Sequence, residues 1–397
     1  MIHSPVFDFF VVGSGGGPDE TNLSAYLLKL HGAQWEDGIV ALEAGSGQGT
    51  LARLLRRDPS VIHSSKARSG PPSRVYSASD IYSFVRCFLV THAHLDHVNS
   101  LVLSAGSLRG PRKRIYGLKQ TLQDLELVFS GRIWPNLASW KEEDDAVMLL
   151  YSTLSPDGEY KTVFPNISVM AMPLNHGKNT LGQYNSAAFF VRHDLSQREF
   201  LFFGDVEPDS LSDKPLTIDI WRVSAPKIPE SLSTIFIECS WPSGRKDDLL
   251  YGHLTPEHLA NELTSLATEV VKYRHTMTQS QVKKRPLRKR QKRNSLTPED
   301  LKNALSGVCV YVIHCKDDMN SNSGLHIRDI IVGQIREIIE KKELGAKVVA
   351  AEQGTYILLS QTNISSQMEN VWHKIIRYNV LITEREVVRF AVVRFAK

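Results

Sequence analysis

Four side chains able to bind a metal ion crowd into the string Thr-His-Ala-His-Leu-Asp-His, Thr91 to His97. His92, His94, Asp96 and His97 follow directly on the apolar run Phe88-Leu89-Val90, which reads as a buried strand delivering them onto a loop. Imidazole and carboxylate together suit zinc, manganese or iron. The segment holds too many ligands for one four-coordinate ion that also keeps an open position. It reads as the shared floor of a two-metal site. Such sites hydrolyse phosphate esters, because a pair of cations can bind both the attacking and the leaving oxygen.

Three further residues repeat the pattern of a polar ligand set directly after an apolar strand: His176 in MPLNHGKN, Asp205 in FLFFGDVEP and His314 in VYVIHCKD. Each alone is most simply a hydrogen-bonded edge residue; beside the first string they read as ligands. His92, His94 and His176 can hold one ion, and Asp96, His97 and His314 the second. Asp205 suits the bridge, since a carboxylate has two oxygens and a neutral imidazole cannot bridge. Asp96 can also accept a hydrogen bond from the nucleophilic water between the ions and orient it. A second pair is Glu238, ending TIFIE, and His253 in LYGHLTPEHL. If they meet, Glu238 orients His253 and favours its protonated form, and His253 donates a proton to the leaving oxygen or binds a phosphoryl oxygen. The bland alternative is that His253 caps the helix starting near Thr255. The last ligand stays open between His314 and His253.

The elements that must position these residues are many short strands with helices between, an α/β layered pattern with the polar residues at strand ends. Strands are expected at Val6–Val12, Ser24–Leu30, Gly38–Glu43, Cys87–Thr91, Lys113–Gly117, Ile167–Pro173, Ala187–Arg192, Glu199–Phe203, Thr234–Glu238, Val308–Ile313, Lys347–Ala351, Thr355–Leu359 and Val387–Arg394. Helices are expected around Leu51–Leu55, at Ile81–Cys87 with Asp80 as cap, after Asn99, at Thr121–Val128, from Thr255 to Val271 and at Ile327–Glu343. Gly13 to Gly17 lacks the order of a phosphate-cradling loop and reads as a tight turn beneath the metal site.

A chain of 397 residues, 42% hydrophobic and 23% charged, is long enough for a substantial core. Its four cysteines form no Cys-x-x-Cys pair, so reduced thiols are expected. No signal peptide is expected, and no stretch reaches 18 uninterrupted apolar residues, so no membrane partner is expected either. The expected compartment is the cytoplasm. Residues 283–293, KKRPLRKRQKR, carry eight basic side chains; taking them from the formal +4 leaves a body of −4. Whole-chain charge is therefore weak evidence for nucleic-acid binding. Residues 274–297 read as a basic, flexible insertion in a single domain spanning 1–397, with nuclear import left open. Ser295 beside it is a candidate for phosphorylation.

THAHLDHVNSLVLSAG, Thr91 to Gly106, resembles the signature of the class II cyclic nucleotide phosphodiesterases, of the metallo-β-lactamase-fold superfamily. GSGGGPDETN, LEAGSG, NHGKN, GDVEP and YGHLTPEHL resemble that family in order and spacing, over most of the chain. The resemblance implies a four-layer αββα sandwich. It implies hydrolysis of the 3′ ester of cyclic AMP, with cyclic GMP open, to the 5′-nucleotide. It also implies two zinc ions and a homodimer. Glu238 and His253 match in context the Glu and His that related tRNA 3′-processing enzymes place beside their metals. Such an endonuclease, or another hydrolase on the same metal core, is the alternative reading. The purine needs an apolar or aromatic wall, for which the aromatic residues of 129–151 are candidates.

Overall fold

The computed structural model describes residues 4–63, 74–180, 182–282, 296–317, 319 and 325–359. The basic block 283–293, Ser295 and the strand expected at Val387–Arg394 lie outside the described residues. Strands β1 (Phe7–Gly13), β2 (Ala25–Leu30), β3 (Ile39–Leu42), β4 (Val85–Leu89), β5 (Lys113–Gly117), β6 (Ala138–Ser139) and β7 (Leu149–Thr153) build one sheet. Strands β8 (Lys161–Phe164), β9 (Ile167–Asn179), β10 (Gly182–His193), β11 (Arg198–Phe203), β12 (Leu232–Glu238), β13 (Cys309–Ile313) and β14 (Lys347–Ala350) build the second. The chain then returns with β15 (Tyr356–Leu359), which joins the first sheet beside β1. The sheet orders are β15-β1-β2-β3-β4-β5-β7-β6 and β14-β13-β12-β11-β10-β9-β8.

Both sheets are mixed. The runs β3-β4-β5-β7 and β11-β12-β13-β14 are parallel, and the remaining pairs apart from β6-β7 are antiparallel. Among the described residues, seven α-helices connect them: α1 (Gln48–Arg57), α2 (Ala78–Ser83), α3 (Leu95–Ser104), α4 (Lys119–Val128), α5 (Thr217–Ser224), α6 (Pro256–Val282) and α7 (Ile327–Lys341).

The side chains of the central strands alternate between two apolar environments, which is why these strands read as unbroken hydrophobic runs. Phe9, Val11, Leu89, Phe202 and Phe236 meet between the sheets. Phe9 and Tyr311 both stack on Phe236, with ring centroids 4.5 and 4.9 Å away. Truncating a ring so buried costs roughly 3–5 kcal/mol. Phe10, Val12, Phe88 and Val90 point the other way, onto Leu51, Ile81, Val98, Leu101 and Leu122 of α1 to α4. Leu201, Phe203, Ile235 and Ile237 do the same against Trp221, Leu259, Leu263, Ile331 and Ile335 of α5 to α7. The layers therefore run helix, sheet, sheet, helix.

Several expected boundaries change. The helix before β4 is α2, capped by Ser77 through a box with Asp80, so Asp80 is its third residue rather than its cap. The strand expected from Cys87 begins at Val85, so Val85 and Arg86 are strand where helix was expected, and the side chains of β4 fill both faces of the sheet. β9 continues through His176 to Asn179, since Leu174, Asn175, Lys178 and Asn179 still pair with β10 across a shift in register. α6 extends through Val282, so residues 274–282 are helical where a flexible segment was expected. Among the described residues, no helix is long and apolar enough to cross a membrane. All four cysteines are free and buried.

Candidate metal centre

Parallel strands place their carboxyl ends along one edge of each sheet, and polar residues gather there. On the second sheet, β11 leads to Asp205, β12 ends at Glu238 and β13 leads to His314, with Glu238 in register with Ile313. On the first, Leu42 pairs with Leu89, so Glu43 and the Thr91–His97 string emerge together. Asp96 and His97 lie in the first turn of α3, with His94 as its N-cap. Gly204 lets the two edges close: a Cβ there would sit 2.3 Å from Ser186 Oγ and 2.4 Å from Thr91 Oγ1.

All seven residues expected to bind metal converge. His94 Nδ1 and His176 Nε2 are 3.2 Å apart, and His92 Nε2 and His176 Nε2 each lie 3.6 Å from Asp205 Oδ2. On the other side, His97 Nε2 and His314 Nε2 are 3.0 Å apart, and His314 Nε2 is 3.1 Å from Asp96 Oδ2. These two nitrogens lie 3.3 and 3.4 Å from Asp205 Oδ1. Ligand atoms around a tetrahedral ion with bonds of about 2.0–2.1 Å sit about 3.3 Å apart. The buried Nε2 of His92 has no hydrogen-bond partner, though it points at Asp205. The donor set thus fits two cations, one against each oxygen of Asp205. Of the two candidates for the last position, His314 presents its Nε2 to Asp96, His97 and Asp205. The Nδ1 of His253 lies 3.8 Å from Asp205 and 2.9 Å from Glu238.

The cAMP phosphodiesterases class-II family model matches residues 58–354. The chain belongs to the class-II cAMP phosphodiesterases. A 3′,5′-cyclic-nucleotide phosphodiesterase of Schizosaccharomyces pombe is 34% identical over 278 residues, covering 67% of this chain and 77% of the relative. One from Aliivibrio fischeri is 31% identical, covering 66% and 75%. The crystal structure of unliganded yeast PDE1 is similar in fold, with a TM-score of 0.71 at 24% identity, covering 89% of this chain and all of that one. The architecture is a four-layer αββα sandwich.

In this class-II phosphodiesterase a second ring of groups, of which the sequence singled out only Glu238, holds the imidazoles. His176 Nδ1 donates to the Gly252 carbonyl at 2.9 Å, which leaves Nε2 free to face Asp205. His314 Nδ1 lies 3.0 Å from Ser240 Oγ, and the Ser240 hydroxyl donates to Glu238 Oε2 at 2.7 Å. His92 Nδ1 lies 3.1 Å from Thr91 Oγ1, and His97 Nδ1 is 3.5 Å from Glu43 Oε2. Tyr184 stacks flat on His94, with centroids 4.7 Å apart. His314 and Glu43 both adopt left-handed backbone, with φ of 60° and 58°, an uncommon conformation that the surrounding contacts impose. Gly16 packs so closely on His314 that a Cβ would lie 2.4 Å from its ring. The glycine turn thus lies against the site, as expected, and serves as a packing surface.

Burial pushes His176 down to about 3 and lowers His92, His94 and His314, which keeps them the neutral imidazoles that metals require. Burial also opposes charge on His97, but Asp205, Asp96 and Glu43 outweigh it and raise its pKa. Burial would raise Asp205, yet the imidazoles of His314, His97, His253 and His92 hold it well below the usual carboxylate range. Glu238 and His253 do meet, at 2.9 Å. Their charge state departs from expectation: burial lowers His253 to about 4, while burial and nearby Asp205 raise Glu238 to about 7. The buried pair favours a neutral imidazole, because desolvation outweighs the attraction of the carboxylates.

A cleft of about 560 Å³ opens beside Asp96, lined by the Gly16-Gly17-Pro18 turn, Leu95, Asn99, Trp241 and Lys316 among others. The aromatic residues of 129–151 do not line it. Phe129 and Tyr151 are buried in the outer core, with Trp134 and Trp140 packed against it.

Proposed function

We propose that this enzyme hydrolyses 3′,5′-cyclic AMP, and cyclic GMP as well, to the nucleoside 5′-phosphate at a pair of zinc ions. His92, His94 and His176 would hold one and Asp96, His97 and His314 the other, with Asp205 offering one oxygen to each. The observation that carries this reading is the split of Asp205, whose Oδ2 faces His92 and His176 while Oδ1 faces His97 and His314. Two divalent cations bound there lower the proton affinity of water and stabilise charge on phosphoryl oxygens.

The protein's own part is positioning and proton handling. Asp96 Oδ2 accepts a hydrogen bond from the attacking water and aims it at phosphorus opposite O3′. The P–O3′ bond breaks, and O3′ takes a proton. The Glu238–His253 pair supplies it, Glu238 being the member whose affinity for a proton lies near neutrality. Ser240 ties this pair to His314. We further propose one catalytic domain over 1–397, a homodimer, and residence in the cytoplasm, with nuclear import a matter for the basic block.

An assay of purified protein with both cyclic nucleotides, before and after chelation, tests the reading. Release of 5′-nucleotide that chelation abolishes and zinc restores is the expected result. Full activity in verified metal-free protein, or cleavage of precursor tRNA without hydrolysis of cyclic nucleotide, would reject it.

A further inference from the structure

We infer that Trp241 is the platform on which the purine of the substrate stacks. The inference rests on the cyclic-nucleotide reading of the site and names the residue that recognises the base. Trp241 follows Ser240 directly and lines the same cleft as Asp96, so one cavity joins the indole to the metal centre. Its ring meets that of His253 edge-on, with centroids 6.5 Å apart, so the indole adjoins the side chain that faces the metal centre.

The indole is held for this task. Its N–H donates to the Leu250 carbonyl at 3.1 Å, and the Arg245 guanidinium lies over the ring at 3.5 Å. Arg245 is itself fixed by donating from Nε to the Leu249 carbonyl at 2.7 Å. A ring with its polar edge satisfied and a guanidinium upon it loses little freedom when a base arrives. The aromatic residues of 129–151 are spent in the outer core. Leu95, two-thirds exposed, and Leu23 add apolar surface to the cleft.

Base–aromatic stacking accepts any base, because every base has a π-face. Trp241 therefore supplies affinity without choosing between adenine and guanine. The test compares Trp241→Ala and Trp241→Phe with the unaltered zinc-loaded enzyme on cyclic AMP, cyclic GMP and the abasic 1-O-methylribose 3′,5′-cyclic phosphate, which has no aromatic ring. Trp241→Ala should raise KM for both cyclic nucleotides about 5- to 100-fold. Its kcat, and its rate on the base-free diester, should stay within about twofold, since stacking contributes to binding rather than to the reacting bond. Trp241→Phe, which keeps an aromatic face, should recover most of the loss. An equal loss on all three substrates would mean that Trp241 only supports His253, and an unchanged KM would mean that the base lies elsewhere; either overturns the inference. Calorimetric binding of 5′-AMP separates the two readings. Weaker binding by Trp241→Ala supports the platform even if cyclic nucleotides prove not to be substrates, and unchanged binding rejects it even if they are.

Discussion

The two ends of β1 each bury a group of ionisable side chains, and the groups differ in what completes them. At its start, Asp8 receives Lys29, Tyr356 and His31, the last two at 2.7 and 2.6 Å, while Lys29 also donates to the Ala33 carbonyl. One acid faces three donors, and the protein satisfies the cluster itself. Past its other end, the Ser14 carbonyl accepts from the His314 backbone N–H beside the imidazole cluster. There nitrogen faces nitrogen at 3.0 and 3.2 Å, His92 Nε2 is unpartnered, and Asp205 must serve both halves. Buried polar groups are ordinarily hydrogen-bonded. The first cluster follows that rule with protein atoms, whereas the second follows it when cations supply the missing positive charge.

Substitutions on the two clusters should behave accordingly. Asp205→Ala removes the group common to both halves. It should cut kcat/KM by more than about 100-fold, beyond the usual effect of outer groups, and lower bound zinc, read by elemental analysis, below two per chain. A normal rate with two zinc ions would erase the contrast. Gly16→Val drives a side chain into the His314 ring. A loss near 100-fold is expected, with the second ion lost first; a crystal structure of this variant with His314 undisturbed would count against the packing argument. Ser240→Ala leaves His314 Nδ1 without its oxygen partner. Zinc titration and rate should both show a milder effect, about 10-fold.

Lys29→Met belongs to the other cluster. It should leave zinc content and rate per folded molecule unchanged. Denaturant unfolding should register a loss of roughly 3–5 kcal/mol, because Asp8 loses its buried cationic partner. A drop in zinc binding instead would show that the two ends are not independent.

The candidate ligands were legible because a buried strand is an unbroken apolar run, and a polar residue at its end stands out. FLFFGD and VYVIH carry that signal. The edge strand β8, KTVF, is half-exposed and polar, so it carries none. Helix α5 was missed as well; its eight residues span barely two turns. Ser240 holds His314 from a position that no spacing rule marks. Glu43 was readable in principle: a carboxylate closing the buried run IVAL has the same context as Glu238 closing TIFI. Residue type alone does not reveal whether a core already claims an aromatic ring, and the outer core buries Phe129 and Tyr151.

Anomalous diffraction from crystals saturated with zinc tests the central claim most directly. Two peaks about 3.5–4 Å apart are predicted. One should touch His92, His94, His176 and Asp205 Oδ2, and the other Asp96, His97, His314 and Asp205 Oδ1. A single peak at saturation, or two peaks with Asp205 bound to neither, would contradict it.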